Sequence, residues 1–287
     1  MITSVNPDNY CILNTGGGAW AFASLASQLS RALWVDVADD AREYNYLLLA
    51  DQQNIPDNNR LFIPFSSMEL AADKRALARV FLENSVPIPD THLFESIEDA
   101  KQFANINNHL SWCLKFPTGC GASGHRMLLA ETMIPDSWPH PLIVQEFVHM
   151  QQPEVYRLYA AGGEIFGWVA RRFPNGATTS PWVAHARGAR YELAGIAPQE
   201  AVAVGRSALI ATGLLGFFGC VDLIFHPSGK WVVLEVGTDG MFNHVDRNLE
   251  LPALELEIQS RIAESFWGRL GDFRPWGTKW HIRPTST

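Results

Sequence analysis

The chain has 287 residues, with 22 Lys or Arg against 30 Asp or Glu for a net charge of -8; 47% of its residues are hydrophobic and 18% charged. A chain of this length and apolarity buries about three quarters of the surface its unfolded form exposes, enough for one large core or two to three small ones, so composition excludes disorder. The acidic balance leaves no basic stripe to meet a phosphate backbone, and nucleic acid is not an expected partner.

Residues 1–70 read as a small α/β unit. An apolar strand at Tyr10 to Leu13 runs into a Gly16-Gly17-Gly18 turn, a helix from Ala19 to Leu33 and a second strand at Leu33 to Val37. Asn54 to Asn59 is loop by composition, and Leu61 to Phe65 reads as another short strand. From Asp73 the period changes to that of a helix with Leu77, Val80 and Phe81 on one face, closed at Asn84 ahead of Pro87 and Pro89. A helix at Ile97 to Phe103 and short strands at Trp112 to Phe116 and Arg126 to Ala130 complete a second unit, 71–141.

A third unit, 142–272, is strand-rich. Its strands are expected at Leu142 to Val148, Val155 to Ala160, Ile165 to Arg171, Phe217 to Phe225 and Trp231 to Val236. Gly162-Gly163 and Pro227-Ser228-Gly229 supply hairpin turns, and helices at Gln199 to Thr212 and Leu254 to Phe266 flank the strands. Residues 273–287 read as a frayed tail. Strands and helices in blocks indicate an α+β fold.

Cys11, Cys113, Cys120 and Cys220 fit no paired-thiol or zinc spacing, and nothing resembles a secretory leader, so a reducing, cytoplasmic setting is expected. The most apolar stretch, Ser207 to Cys220, is shorter than the roughly 20 residues of a spanning helix, and no membrane partner is expected. No paired-histidine motif and no Gly-x-Ser-x-Gly elbow is present, which argues against zinc and serine hydrolases.

Four segments could carry chemistry. If Ser228-Gly229 forms a two-residue turn, Pro227 pairs with Lys230 and Asp222 faces Glu235 across the hairpin, with Cβ atoms about 5 Å apart. Facing carboxylates need a cation. Either a divalent metal of the Mg²⁺ type or an Arg or Lys would serve, and a three-residue turn would shift the register. Trp112 to Phe116 runs into Pro117-Thr118-Gly119-Cys120-Gly121-Ala122-Ser123-Gly124, where glycines let backbone N–H groups approach a polyphosphate and Lys115 adds fixed charge. An ordinary loop beside a snorkelling lysine would look the same. No long helix follows, so the loop is not a dinucleotide fingerprint.

Asp73 caps a helix whose first residue, Lys74, sits at the positive end of the dipole, an arrangement that a bound phosphate would favour. The strand Leu142 to Val148 carries Glu146, whose neighbouring backbone could read an adenine edge. Glu154 could accept from ribose hydroxyls, and either acid could instead be a solvated edge residue. Arg157, Arg171, Arg172 and Arg187 fall in the same half and could neutralise a transferring phosphate or a substrate carboxylate.

In this order the segments resemble the ATP-grasp superfamily of carboxylate-amine ligases, over Asp73 to Glu235 and on to Phe266. The resemblance rests on Asp73-Lys74, Val86-Pro87-Ile88-Pro89, Leu114-Lys115-Phe116-Pro117 with its glycine loop, Gln145-Glu146-Phe147-Val148, Glu154 with Arg157, Arg171-Arg172, Val221-Asp222 and Leu234-Glu235. It implies an ATP-grasp fold of two α+β subdomains preceded by a Rossmann-like domain. Lys74 and Lys115 would meet the phosphates of ATP, with Gly119, Gly121, Ser123 and Gly124 closing over them. Glu146 and Val148 would bracket adenine, Glu154 would hold the ribose, and Asp222 and Glu235 would carry Mg²⁺. Gly237 stands where the family commonly has a metal-binding Asn, which leaves a second ion one ligand short unless Asp239, Asn243 or water replaces it, so the number of ions is open.

The implied reaction is phosphorylation of a carboxylate by ATP, attack of an amine on the acylphosphate, and release of ADP and phosphate, with Arg157 or Arg172 stabilising the transferred group. Small-molecule or peptide carboxylates and amines are the implied substrates, and a homodimer is compatible. An ATP-grasp kinase and a non-catalytic nucleotide-binding module are the alternatives.

Overall fold

Strand β1 (Tyr10–Asn14) pairs in parallel with β2 (Asp36–Ala38) and β3 (Tyr44–Leu49), in the order β2-β1-β3. Helix α1 (Trp20–Leu33) makes the crossover that parallel pairing of β1 and β2 demands. The computed structural model describes residues 7–15, 20–49, 55–57, 60–119, 121–238, 240 and 252–269. The glycine turn at residues 16–18 lies outside them.

Leu61 makes a single parallel bridge to Asn45 in place of the expected strand, and Phe65 opens helix α2 (Phe65–Ala72). The proline ring explains the change, since Pro64 holds φ at -57° in the capping position. Helix α2 runs continuously through residue 70, where the first unit was expected to end, and leads directly into α3 (Lys74–Glu83).

The second unit is an antiparallel sheet in the order β4-β7-β5-β6, formed by β4 (Thr91–Phe94), β5 (Trp112–Lys115), β6 (Arg126–Met127) and β7 (Leu142–Glu146). Helix α4 (Ile97–Ile106) covers one face, where Ala100, Trp112, Leu114, Leu142 and Val144 are buried together. Alternation along β5 and β7 sends Lys115, Ile143 and Gln145 to the other face.

Five antiparallel strands form the largest sheet, in the order β10-β9-β8-β11-β12. They are β8 (Glu154–Ala161), β9 (Glu164–Arg172), β10 (Arg190–Leu193), β11 (Phe218–His226) and β12 (Lys230–Gly237). Gly162 and Gly163, both with positive φ, form the two-residue turn between β8 and β9. Helix α5 (Gln199–Ala211) packs on the face that carries Leu158, Leu223 and Val233. Helix α6 (Pro252–Gly268) joins this core to the first unit, packing Phe266 at a tilt against Tyr44 and Trp267 edge-on to Tyr10, while Trp267 Nε1 donates to Leu33 O at 3.1 Å. The first unit and the large sheet therefore share one continuous core.

The turn between β11 and β12 has three residues: His226 pairs with Lys230, and Gly229 takes φ +84°. That register would separate Asp222 from Glu235. A bulge beside Asp222 and Leu223 restores it, so the two acids are partners although the turn is longer than the two residues expected.

Candidate functional site

Asp73 Oδ1 accepts from Arg75 N at 2.8 Å, which caps α3 and starts it at Lys74. The Lys74 side chain is only 7% exposed; its Nζ donates to Gly119 O at 2.5 Å and lies 3.3 Å from Glu235 Oε1. Lys115, 8% exposed at the end of β5, donates to Gln145 Oε1 at 2.9 Å. Gln145 Nε2 donates in turn to Thr91 Oγ1 at 2.9 Å, and Thr91 Oγ1 donates to Pro89 O at 2.6 Å. Two buried polar side chains, Gln145 and Thr91, thus hold the Lys115 ammonium at a fixed place.

Burial pulls the pKa of Lys115 below the ordinary lysine value; Lys74 adds to that fall, while Cys113, Glu235 and Asp222 oppose it. The side chains at 74, 115, 222 and 235 are consequently within electrostatic reach of one another. Lys74, Phe81, Ile88, Lys115, Gln145 and Leu234 line a narrow cleft between the two antiparallel sheets.

The glycine-rich segment begins beside the cleft, where Gly119 O accepts from Lys74 Nζ. A Cβ on Gly124, whose φ is +75°, would come within 2.9 Å of Phe116 Cβ, so the fold requires glycine there. A Cβ on Gly121 would touch Ala186 at 3.6 Å, which places this loop against the helical turn His185–Arg187 on the large-sheet side. His125, just past the loop, packs edge-on to Trp182, which also meets Phe147. Burial and the nearby Lys115, Lys74 and Arg187 push its pKa down to about 3, so it is neutral at physiological pH.

On the large sheet, Glu235, Asp222 and Arg157 follow one another across β12, β11 and β8 at matched register positions. Arg157 Nε and Nη2 donate to Asp222 Oδ1 and Oδ2 at 2.6 and 3.0 Å, and Arg171 Nη2 donates to Oδ2 at 2.9 Å. Burial alone would raise the pKa of Asp222, which is 4% exposed; the two guanidiniums overcome that and hold it at about 2. Both arginines pack on the Tyr191 ring, and Arg171 Nη1 donates to its hydroxyl at 2.8 Å.

Not every expected site residue joins this group. Arg172 is adjacent to Arg171 on a strand and so points to the opposite face, where it pairs with Glu154 at 2.6 Å and with Glu192. Glu154 is on that face too, with its other oxygen accepting from Tyr156 OH at 2.6 Å. Glu146 alternates with Gln145 and bonds His226 Nε2 at 3.0 Å, tying β7 to β11, so Gln145 is the residue of that pair whose side chain reaches Lys115. Val148 is buried with Val155, Val183, Ile224 and Val232, an apolar wall on the Asp222 face of the large sheet. Gln145 was legible only as part of the strand motif, and Thr91 carried no sequence signal. Arg171 could have been separated from Arg172 only by knowing the phase of β9 against β11.

For magnesium, the donor set is asymmetric. Glu235 is 40% exposed beside Lys74 and offers a carboxylate to an ion that also takes phosphate oxygens. Both oxygens of Asp222 are already engaged by guanidiniums, and among the described residues no three His, Cys, Asp or Glu side chains converge. Among the described residues the donors fit one divalent ion and do not fit a pair bridged by two carboxylates; Asp239 and Asn243 lie outside them.

The two sheets closing on this cleft have the ATP-grasp fold. The chain superposes on D-alanine–D-alanine ligase from Bacillus anthracis with a TM-score of 0.63 at 12% identity, covering 92% of this chain and 98% of that one. It is similar to D-cycloserine synthetase (TM-score 0.62, 17% identity, 91% and 99% covered). A third similar structure is an ATP-grasp ligase complexed with a minimal precursor (TM-score 0.63, 13% identity, 92% and 100% covered). No family model matches the sequence, and no curated protein matches it either. Among the described residues no helix is long and apolar enough to cross a membrane.

Proposed function

We propose that the protein is an ATP-dependent carboxylate-amine ligase. The observation that carries this reading is the convergence of two buried lysines, Lys74 and Lys115, with Glu235 in the cleft of an ATP-grasp fold. A buried ammonium is costly, and a polyphosphate is the ligand whose charge repays it. At an effective dielectric of 20, a unit charge pair at 4 Å contributes about 4 kcal/mol, so each ammonium matters to nucleotide affinity.

The triphosphate lies on Lys74 and Lys115 beneath the loop of Gly119, Gly121, Ser123 and Gly124, with adenine against the Val148 wall. A magnesium ion on Glu235, when bound, supplies further neutralisation of the phosphates. Arg157 donates to the transferring phosphoryl group. The bond from the γ-phosphorus to the bridging oxygen of ADP breaks as the substrate carboxylate oxygen bonds to phosphorus. The amine then attacks the acyl carbon, phosphate leaves, and the nitrogen sheds its proton. The closed loop excludes water that would hydrolyse the acylphosphate. The sheet β4-β7-β5-β6, which takes in Leu142–Glu146 from beyond the expected boundary at residue 141, and the five-stranded sheet form the two walls of the cleft, and 1–70, as a Rossmann-like domain, contributes to the acceptor side. A similar fold complexed with a minimal precursor supports small-molecule or peptide carboxylates as substrates.

The test is a screen of carboxylates with ATP, Mg²⁺ and hydroxylamine, read by mass spectrometry. A hydroxamate formed together with ADP is expected. AMP release would indicate adenylation, a stable phosphorylated product with no need for an amine would indicate a kinase, and binding of ATP without turnover a non-catalytic module.

A further inference from the structure

The row Glu235, Asp222, Arg157 runs across three neighbouring strands, and Arg171 reaches the same Asp222 carboxylate from β9. Backbone register fixes this arrangement: Arg157 is the direct cross-strand partner of Asp222, the Asp222 side chain is buried, and that of Arg157 is 17% exposed. Two guanidiniums on one carboxylate leave a surplus of one positive charge beside the cleft, which is costly to bury until an anion completes it. Arg171 Nε is buried and has no hydrogen-bond partner among the described residues, so the cluster also holds an unused donor. Gly237, two positions beyond Glu235 along β12, offers no side-chain oxygen to a cation.

We propose that the Arg157–Asp222–Arg171 cluster takes the place of a second metal ion: Asp222 is a positioning residue that holds two guanidiniums toward the transferring phosphoryl group, and a single divalent cation binds, on Glu235. The inference rests on the ligase reading of the cleft. Its chemical basis is substitution of charge. Two fixed guanidiniums present several N–H donors to phosphate oxygens where an ion would present open coordination positions. A carboxylate whose lone pairs are taken up in holding them is no longer a free ligand.

The test counts ions by the electron paramagnetic resonance of Mn²⁺ titrated into the full chain saturated with a non-hydrolysable ATP analogue. One ion per chain is expected in the wild type. Glu235→Gln should weaken Mn²⁺ binding about 100-fold or more, while Asp222→Asn should keep the one ion, weaken it less than Glu235→Gln does, and lower kcat. Two ions per wild-type chain, or loss of an ion in Asp222→Asn, would overturn the proposal. The wild-type count decides even if Asp222→Asn fails to fold. A wild type that binds no analogue would overturn the ligase reading and this inference with it, whereas two ions would overturn the inference alone.

Discussion

Arg157 and Asp222 occupy opposite positions of two neighbouring strands and meet through two hydrogen bonds of 2.6 and 3.0 Å. Asp222 is buried, and Arg171 binds the same carboxylate from β9, on the far side of β8. Because the Asp222 pKa is held at about 2 against 3.8 in the unfolded chain, the unfolded state takes up a proton first on acidification. The stabilisation from this group is present above pH 3.8 and is lost as pH falls through about 2, a change of about 2 kcal/mol. Asp222→Asn should remove that part of the acid sensitivity and cost about 3–5 kcal/mol at neutral pH, where two guanidiniums are left without their partner. Urea unfolding of both proteins between pH 5 and pH 2 measures this; parallel pH profiles would contradict it.

Lys115 behaves in the opposite sense. Its lowered pKa means that in alkali the folded state sheds this proton before the unfolded chain does, so this group adds stability as pH rises through its folded pKa toward 10.5. Wild type minus Lys115→Met should therefore grow in favour of wild type across that window. ATP affinity should decline over the same window as the ammonium is lost. Paired denaturation and binding curves from pH 7 to pH 10 check both signs.

Thr91 is the far end of the chain that fixes Lys115. Thr91→Val removes the acceptor for Gln145 Nε2 and leaves a buried amide N–H unpaired, at a cost of about 1–3 kcal/mol in chemical denaturation. The same change should weaken ATP binding, because Gln145 no longer has a fixed orientation from which to hold the ammonium.

Gly124 has φ +75° and space for no Cβ beside Phe116. Gly124→Ala should cost about 1–3 kcal/mol through backbone strain and raise KM for ATP more than it lowers kcat. Steady-state kinetics with a saturating second substrate separates the two effects.

Much of this site was legible because local patterns repeat simple geometry. Asp73, the apolar face of α3 and Asn84 marked that helix at both ends, and the glycine pair 162–163 marked the hairpin of β8 and β9. Strand β3 escaped notice: Tyr44–Leu49 has hardly any alternation to betray a strand, since its residues from Tyr44 to Leu48 are all buried. Strands β4 and β10 are four residues each, too short for a period to emerge. The pairing of Asp222 with Glu235 was anticipated from a two-residue turn, whereas it arises from a three-residue turn and a compensating bulge, a combination that no local signal reveals. Which of Arg171 and Arg172 enters the cleft depends on the phase of a strand fixed by neighbours up to 51 residues away along the chain.

Calorimetric titration of ATP into wild type and Lys115→Met tests most directly whether the cleft is a nucleotide site. Wild type should bind one ATP per chain, and Lys115→Met, still folded by circular dichroism, should bind it about 100-fold more weakly or not at all. Equal affinity in the two proteins would contradict the assignment of Lys115 to the phosphates and with it the proposed activity.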